Sequence, residues 1–280
     1  MIGRRGPTRS ERVTRFRDGA SNTDRDTLAV EEPLEIRVAW AEEGARRVEP
    51  LAVTMRTPGD DFELVAGFLH GEGLVRGAGD LKELIYCSGP EEQEYNVVEA
   101  RLAPGRSVDV EALRRNFYTT SSCGVCGKAS LDAVSAIGCA RIASETAIDA
   151  LAVNRFPERL LDRQRVFDRT GGLHAAGLFD TQGAPLVVME DVGRHNAVDK
   201  VVGRTLLDRA LPASERVLVV SGRASFELVQ KAVAAGIPIL VAVGAPSSLA
   251  VDLARRFDQT LIGFAREDGF NVYSGGWRVR

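Results

Sequence analysis

No apolar run in the 280-residue sequence approaches the roughly 20 residues that a membrane-spanning helix needs, and the first residues hold no hydrophobic signal core. Neither a membrane protein nor a secreted one is expected. Basic excess is also missing: 36 Lys and Arg stand against 39 Asp and Glu, a net charge of −3, so nothing argues for coating a nucleic acid. Cysteine and histidine are scarce, at four and three residues. Too few thiols for a disulfide framework, and no signal peptide, point to a reducing cytoplasm. What remains, 44% hydrophobic and 27% charged, suits a globular protein of one large or two moderate domains.

Two of the four cysteines sit in one stretch, Ser121-Ser122-Cys123-Gly124-Val125-Cys126-Gly127-Lys128. The glycines permit tight backbone and leave no side chain to shield the sulfurs. Leu131, Val134 and Ile137 then recur at near-helical spacing, so the thiol pair is expected on a loop before a helix N-terminus. The helix dipole and Lys128 would both favour thiolate. Half a zinc site is an alternative, but Cys87, Cys139 and the three histidines supply no second pair at ligand spacing. A structural disulfide is not needed by a chain of this size, and a thioredoxin-like site would open the first helix of a βαβ unit. Sulfur chemistry at an exposed thiol leads.

Along the chain, residues 1–26 are polar and rich in arginine, which reads as a flexible tail; a basic arm that meets an acidic partner is the alternative. Residues 27–116 read as a small α+β unit. Leu34–Trp40 and Leu51–Met55 form strands, Phe62–His70 a helix with Asp60 and Asp61 as caps, and Leu84–Cys87 and Tyr95–Val98 further strands. His70, beside Gly71, is expected as a satisfied or capping histidine. Residues 117–280 read as an α/β domain that begins with the cysteine loop. A helix is expected over Glu158–Phe167, then a hairpin turning at Thr181-Gln182-Gly183. Strands and helices alternate from there, ending at Leu261–Ala265. That order predicts a mostly parallel sheet with helices packed on it.

Three successive strand-to-helix junctions are small and polar: Val192-Gly193-Arg194-His195-Asn196, Ser221-Gly222-Arg223-Ala224-Ser225 and Gly244-Ala245-Pro246-Ser247-Ser248. All should lie at the C-terminal edge of the sheet, where open α/β folds take ligands. Helix N–H groups there attract phosphate, and Arg194 and Arg223 could add charge-assisted bonds. Turn-forming and capping preferences alone also explain Gly and Ser at such places.

The stretches Ser122–Lys128, Thr170–Ala176 and Glu190–Lys200, with Ser221-Gly222-Arg223 and Gly244–Ala250, closely resemble the FdhD family of formate dehydrogenase accessory sulfurtransferases. The resemblance implies a cytidine-deaminase-like α/β fold and a cysteine persulfide on Cys123 or Cys126. It implies sulfur received from a cysteine desulfurase and passed to bis-molybdopterin guanine dinucleotide for formate dehydrogenase, with GDP as a fragment of that cofactor. Its cofactor contacts would be Gly193, Arg194, His195 and Asn196; Ser221, Gly222, Arg223 and Ser225; Gly244, Ser247 and Ser248; and a C-terminal segment, Phe264, Ala265, Arg266, Glu267, Asp268 and Gly269. A homodimer is compatible with it. A zinc deaminase is disfavoured: Ala197 stands where the general acid/base Glu would be, and Ser221 and Ala224 where ligand thiolates would be sought. The alternatives are a molybdenum cofactor-binding chaperone without sulfur transfer, or a degenerate zinc deaminase-like protein.

Overall fold

The computed structural model describes residues 6–87, 94–108 and 139–280, and elements are numbered within them. The segment expected as a flexible tail is instead a hairpin, β1 (Thr8–Arg17) and β2 (Ala20–Ala29). Asp18 and Gly19 turn it with φ of 52° and 79°, the two positive values of the tight hairpin turn that favours Asp-Gly. Thr8, Val13, Thr14 and Phe16 of β1 supply the strand preference that the arginines obscure.

The next unit is a four-stranded sheet in the order β4-β3-β6-β5, from β3 (Glu32–Glu42), β4 (Ala45–Arg56), β5 (Leu81–Tyr86) and β6 (Val97–Leu102). Leu34, Ile36, Val38 and Trp40 alternate on one face of β3 and are buried with Leu64, Val65 and Leu69 of α1 (Asp61–Gly71). Asp60 occupies the cap position of α1 but is left-handed and makes no side-chain cap bond. Asp61 is not a cap either, since its carboxylate takes the buried Arg56 guanidinium at 3.0 Å. His70 is satisfied as expected: its ring nitrogens lie 3.0 Å from Val75 O and 3.1 Å from Ala234 O.

The remaining chain builds a six-stranded sheet, β12-β11-β10-β9-β7-β8, from β7 (His174–Phe179), β8 (Pro185–Asp191), β9 (Val217–Val220), β10 (Ile239–Ala242), β11 (Thr260–Arg266) and β12 (Gly269–Ser274). Strand β7 is antiparallel to both β8 and β9, whereas β9, β10 and β11 are mutually parallel. Hence β8, β9, β10 and β11 all point the same way within a mixed sheet. Strand β12, a sixth strand that the periodicity does not announce, turns back antiparallel on β11.

Each short central strand is buried on both faces. Leu218, Val220, Leu240 and Ala242 face a core shared with α4 (Arg194–Leu207), α5 (Phe226–Ala234) and α6 (Ser248–Arg256). Val217, Val219, Ile239 and Val241 face the other way, toward Val153, Phe156 and Leu160 of α2 (Ala150–Leu161). Helix α2 starts and ends earlier than the expected Glu158–Phe167. Asp149 caps it, accepting from Leu151 N at 2.6 Å, and Pro157 is carried inside it. The buried Val153, Phe156 and Leu160 face outweighs the one backbone bond that proline cannot donate. A short turn, α3 (Phe167–Thr170), follows, its first N–H groups taken by the Glu190 carboxylate at 2.7 and 3.0 Å.

Helices α1 and α4 join the two sheets by packing backbone on backbone. A Cβ on Gly67 would run into the Asp199 carbonyl, and one on Gly203 into the Glu63 carbonyl. Only glycine at both positions allows that approach. Among the described residues no helix is long and apolar enough to cross a membrane.

Candidate functional site

Because β8, β9, β10 and β11 run together, their C-terminal ends reach one edge of the sheet, and β7 begins there at His174. The three polar junctions and the β11–β12 turn therefore meet on a single edge. Ser221 is stitched to β7, with its N–H on Ala175 O at 3.0 Å and its Oγ accepting from Ala175 N at 2.9 Å. The second and third junctions bond to each other: Gly244 N to Gly222 O at 3.0 Å, Ala224 N to Ala245 O at 3.2 Å and Ser247 N to Ala224 O at 3.0 Å. Phe264 N reaches Gly244 O at 3.1 Å and ties the C-terminal hairpin to the same cluster. Phe264 is left-handed, at φ 54°, an uncommon conformation for an aromatic residue that leaves its ring partly exposed.

Helices α4, α5 and α6 all start at this edge, so their first-turn N–H groups open onto it. Ser247 caps α6, accepting from Ala250 N at 3.2 Å. Ser225 holds the cap position of α5 but makes no cap bond; its Oγ sits 3.2 Å from His195 Nε2. The same His195 nitrogen lies 2.8 Å from the Glu227 carboxylate, and this hydrogen bond pulls the Glu227 pKa down against the effect of burial. His174, beside Gly222, has its pKa lowered by burial and then by its neighbours Arg194 and His195. The Arg194 Nε is buried with no hydrogen-bond partner among the described residues, a donor available to an acceptor at this edge.

Other residues expected at the site have different work. The Asn196 amide donates to Met55 O at 2.7 Å and to Asp191 at 2.9 Å, and accepts from Thr54 at 3.2 Å. It is a buried pin between the two sheets, with its polar atoms already engaged. Asp191 accepts from Thr57 N at 3.2 Å and Gly193 N at 2.9 Å, while Lys200 donates to Thr57 O at 3.1 Å and Glu190 O at 3.2 Å. Much of the Glu190–Lys200 motif thus clamps the small sheet to the large one. Ala265 is buried in the core beneath α2, so its side chain does not face a ligand at the edge. Arg223, Ser247, Ser248, Arg266, Glu267 and Asp268 are exposed there. Glu227 carries no signal in the sequence, because an acidic residue in a first helical turn is common.

Cys123 and Cys126, with the helix expected after them, lie outside the described residues. Cys87 and Cys139 are half-buried free thiols. Burial pushes Cys139 up to about 11 and raises Cys87 as well, so neither is primed as a nucleophile.

Residues 29–280 match the model of the FdhD/NarQ family. The chain is 54% identical over 277 residues to the sulfur carrier protein FdhD of Streptomyces coelicolor, covering 97% of this chain and 95% of that protein. It is 52% identical over 262 residues to the sulfur carrier protein FdhD of Mycobacterium tuberculosis, covering 91% and 92%. Among solved structures, a formate dehydrogenase accessory protein from Desulfotalea psychrophila superposes with a TM-score of 0.74 at 25% identity, covering 98% of this chain and 99% of that one. This chain belongs to the FdhD/NarQ family.

Proposed function

We propose that the protein is a sulfur carrier for formate dehydrogenase maturation. It takes sulfur from a cysteine desulfurase as a persulfide on Cys123 or Cys126 and delivers it to bis-molybdopterin guanine dinucleotide held at the sheet edge. The observation that carries this reading is the convergence of three helix N-termini with Arg194 and Arg223 on one edge, in a chain whose relatives are named sulfur carriers. The guanine dinucleotide is cargo, and its phosphates are the groups that such an edge attracts. Arg194, whose Nε has no partner among the described residues, and the exposed Arg223 supply charge, and the N–H groups after Gly193, Ser225 and Ser247 supply donors. His195, held by Glu227, stands among them. The thiol step needs only an exposed thiolate: it attacks the outer sulfur of the desulfurase persulfide, the S–S bond breaks, and the desulfurase thiolate leaves and takes up a proton.

GDP calorimetry paired with persulfide loading tests the two halves separately. Arg223→Ala should weaken GDP binding by about 1.5 kcal/mol, the low end for a charge-assisted bond at an exposed residue, and leave loading untouched. Cys123→Ala with Cys126→Ala should abolish loading and leave GDP affinity near wild type. A wild-type chain that binds no GDP would remove the nucleotide from the proposal, and loss of GDP binding in the cysteine variant would merge the thiols and the nucleotide site into one unit.

A further inference from the structure

One ring nitrogen of His195 is already engaged. The Glu227 carboxylate lies 2.8 Å from Nε2, and Ser225 Oγ lies 3.2 Å from it. A bare nitrogen lone pair would repel a carboxylate at that distance, so Nε2 carries the hydrogen and donates it to Glu227. This fixes the tautomer. In the neutral ring Nδ1 is then a bare acceptor, and in the cationic ring it is a donor. Nδ1 makes no hydrogen bond among the described residues, and the side chain is 32% exposed. Only the cation can offer Nδ1–H to a phosphate oxygen, because the neutral ring would turn a lone pair toward it.

The charges around the ring mostly oppose that cation. His174 on β7 and Arg194, the preceding residue on α4, both work against it. Asp199 lies one helical turn along α4, but its carboxylate is held at 2.6 Å by the buried Lys231 of α5, so those two charges answer each other. Among the described residues Glu227 is the carboxylate that touches His195. An acidic residue in the first turn of α5 also suits the helix dipole. That preference alone would let the side chain, 55% exposed, turn to water; it turns to the ring instead.

We propose that Glu227 is a positioning residue for the guanine nucleotide: it holds the His195 ring by Nε2, leaves Nδ1 for a phosphate oxygen, and supports the imidazolium that this bond requires. The nucleotide therefore binds together with one proton, taken from solvent onto His195 Nδ1 and returned when the nucleotide leaves. Binding tightens as the pH falls through the range in which imidazoles titrate. The proposal rests on the guanine-nucleotide reading of this edge and adds to it a proton and a carboxylate that acts only through the ring.

Calorimetry of the full chain with GDP, from pH 8 to pH 6 and in buffers of different ionisation enthalpy, measures affinity and protons together. The wild-type chain should take up a net fraction of a proton. The terminal phosphate of GDP titrates at about pH 6, and a cationic edge draws protons off it, so net uptake has to come from the protein. His195→Gln should lose the uptake and bind roughly tenfold more weakly at pH 6, the scale of a charge-assisted bond. His174→Gln should keep the uptake. Glu227→Gln should melt near wild type yet bind roughly three- to fivefold more weakly at pH 7, the scale of a half-exposed ion pair, with the gap narrowing toward pH 6. No net uptake by the wild-type chain overturns the proposal, whether or not a variant folds. So does uptake that survives His195→Gln. Binding by Glu227→Gln at pH 7 as tight as wild type or tighter overturns it too, because the carboxylate would then only repel the phosphate. These three results leave a GDP site standing. A wild-type chain that binds no GDP overturns the nucleotide reading and this proposal together.

Discussion

Lys200 Nζ lies 2.8 Å from the Asp191 carboxylate, with side-chain exposures of 1% and 0%, and the pair sits where the β4–α1 loop of the small sheet meets the end of β8. Thr57, Gly193 and Asn196 complete its hydrogen bonds. The lattice fixes the start of α4, and with it the placement of Arg194 and His195.

Removing one partner of such a pair leaves a buried, unanswered charge. Asp191→Ala should cost about 3–5 kcal/mol in denaturant unfolding. The double variant Asp191→Ala with Lys200→Met should recover part of that loss, because no charge is then stranded. A single-variant cost below about 1 kcal/mol would mean that water reaches Lys200.

The contact of α1 with α4 gives a second expectation. Gly67→Ala or Gly203→Ala places a methyl group against carbonyl backbone of the facing helix, which cannot rotate away as a side chain can. Each should cost roughly 1–3 kcal/mol or more, read as a lower melting temperature. Gly79→Ala, where a Cβ meets nothing within 4 Å, is the control and should melt near wild type.

His70 should make the fold acid-sensitive. Burial, the largest influence, lowers its folded pKa below the unfolded value of about 6.5. Between those two values the unfolded chain binds the proton and the folded chain does not, so stability is lost as pH falls from about 6.5 through the folded pKa. His174, also lowered by burial, adds to the same slope. Unfolding free energies measured from pH 7.5 downward should fall, and His70→Gln should show a shallower fall. An equal slope in the variant would contradict the assignment to His70.

Cys139 should be a slow thiol. With a pKa of about 11, only about one part in a thousand is thiolate at pH 8, and alkylation should speed up nearly tenfold per pH unit toward 10. Peptide mapping after brief iodoacetamide treatment at pH 8 should find Cys139 largely unmodified. Rapid modification would show that the thiol is not buried as described.

Elements with strong periodicity were legible before any coordinates. Strand β3 alternates Leu34, Ile36, Val38 and Trp40, and the runs at Val217–Val220 and Ile239–Ala242 could only be buried strands. The shared edge of the three junctions followed from that order. What stayed hidden depends on distant contacts or on competing local signals. Asn196 looks like a ligand residue until Met55, far away in sequence, takes its amide. Gly67 and Gly203 look like ordinary helix glycines until their helices touch. The expected helix over Glu158–Phe167 misses the earlier start at Ala150 because Pro157, inside the helix, is a residue that helices seldom carry, and the arginines of β1 mask the Asp18-Gly19 turn beside them.

The central claim is that Cys123 or Cys126 carries sulfur, and mass spectrometry of the protein after incubation with a cysteine desulfurase and cysteine tests it most directly. One added sulfur atom, removed by reductant, should appear on the peptide spanning Cys123 and Cys126, with the half-buried thiols Cys87 and Cys139 unmodified. Added sulfur confined to Cys87 or Cys139, or absent altogether while the desulfurase itself forms its persulfide, would contradict the account.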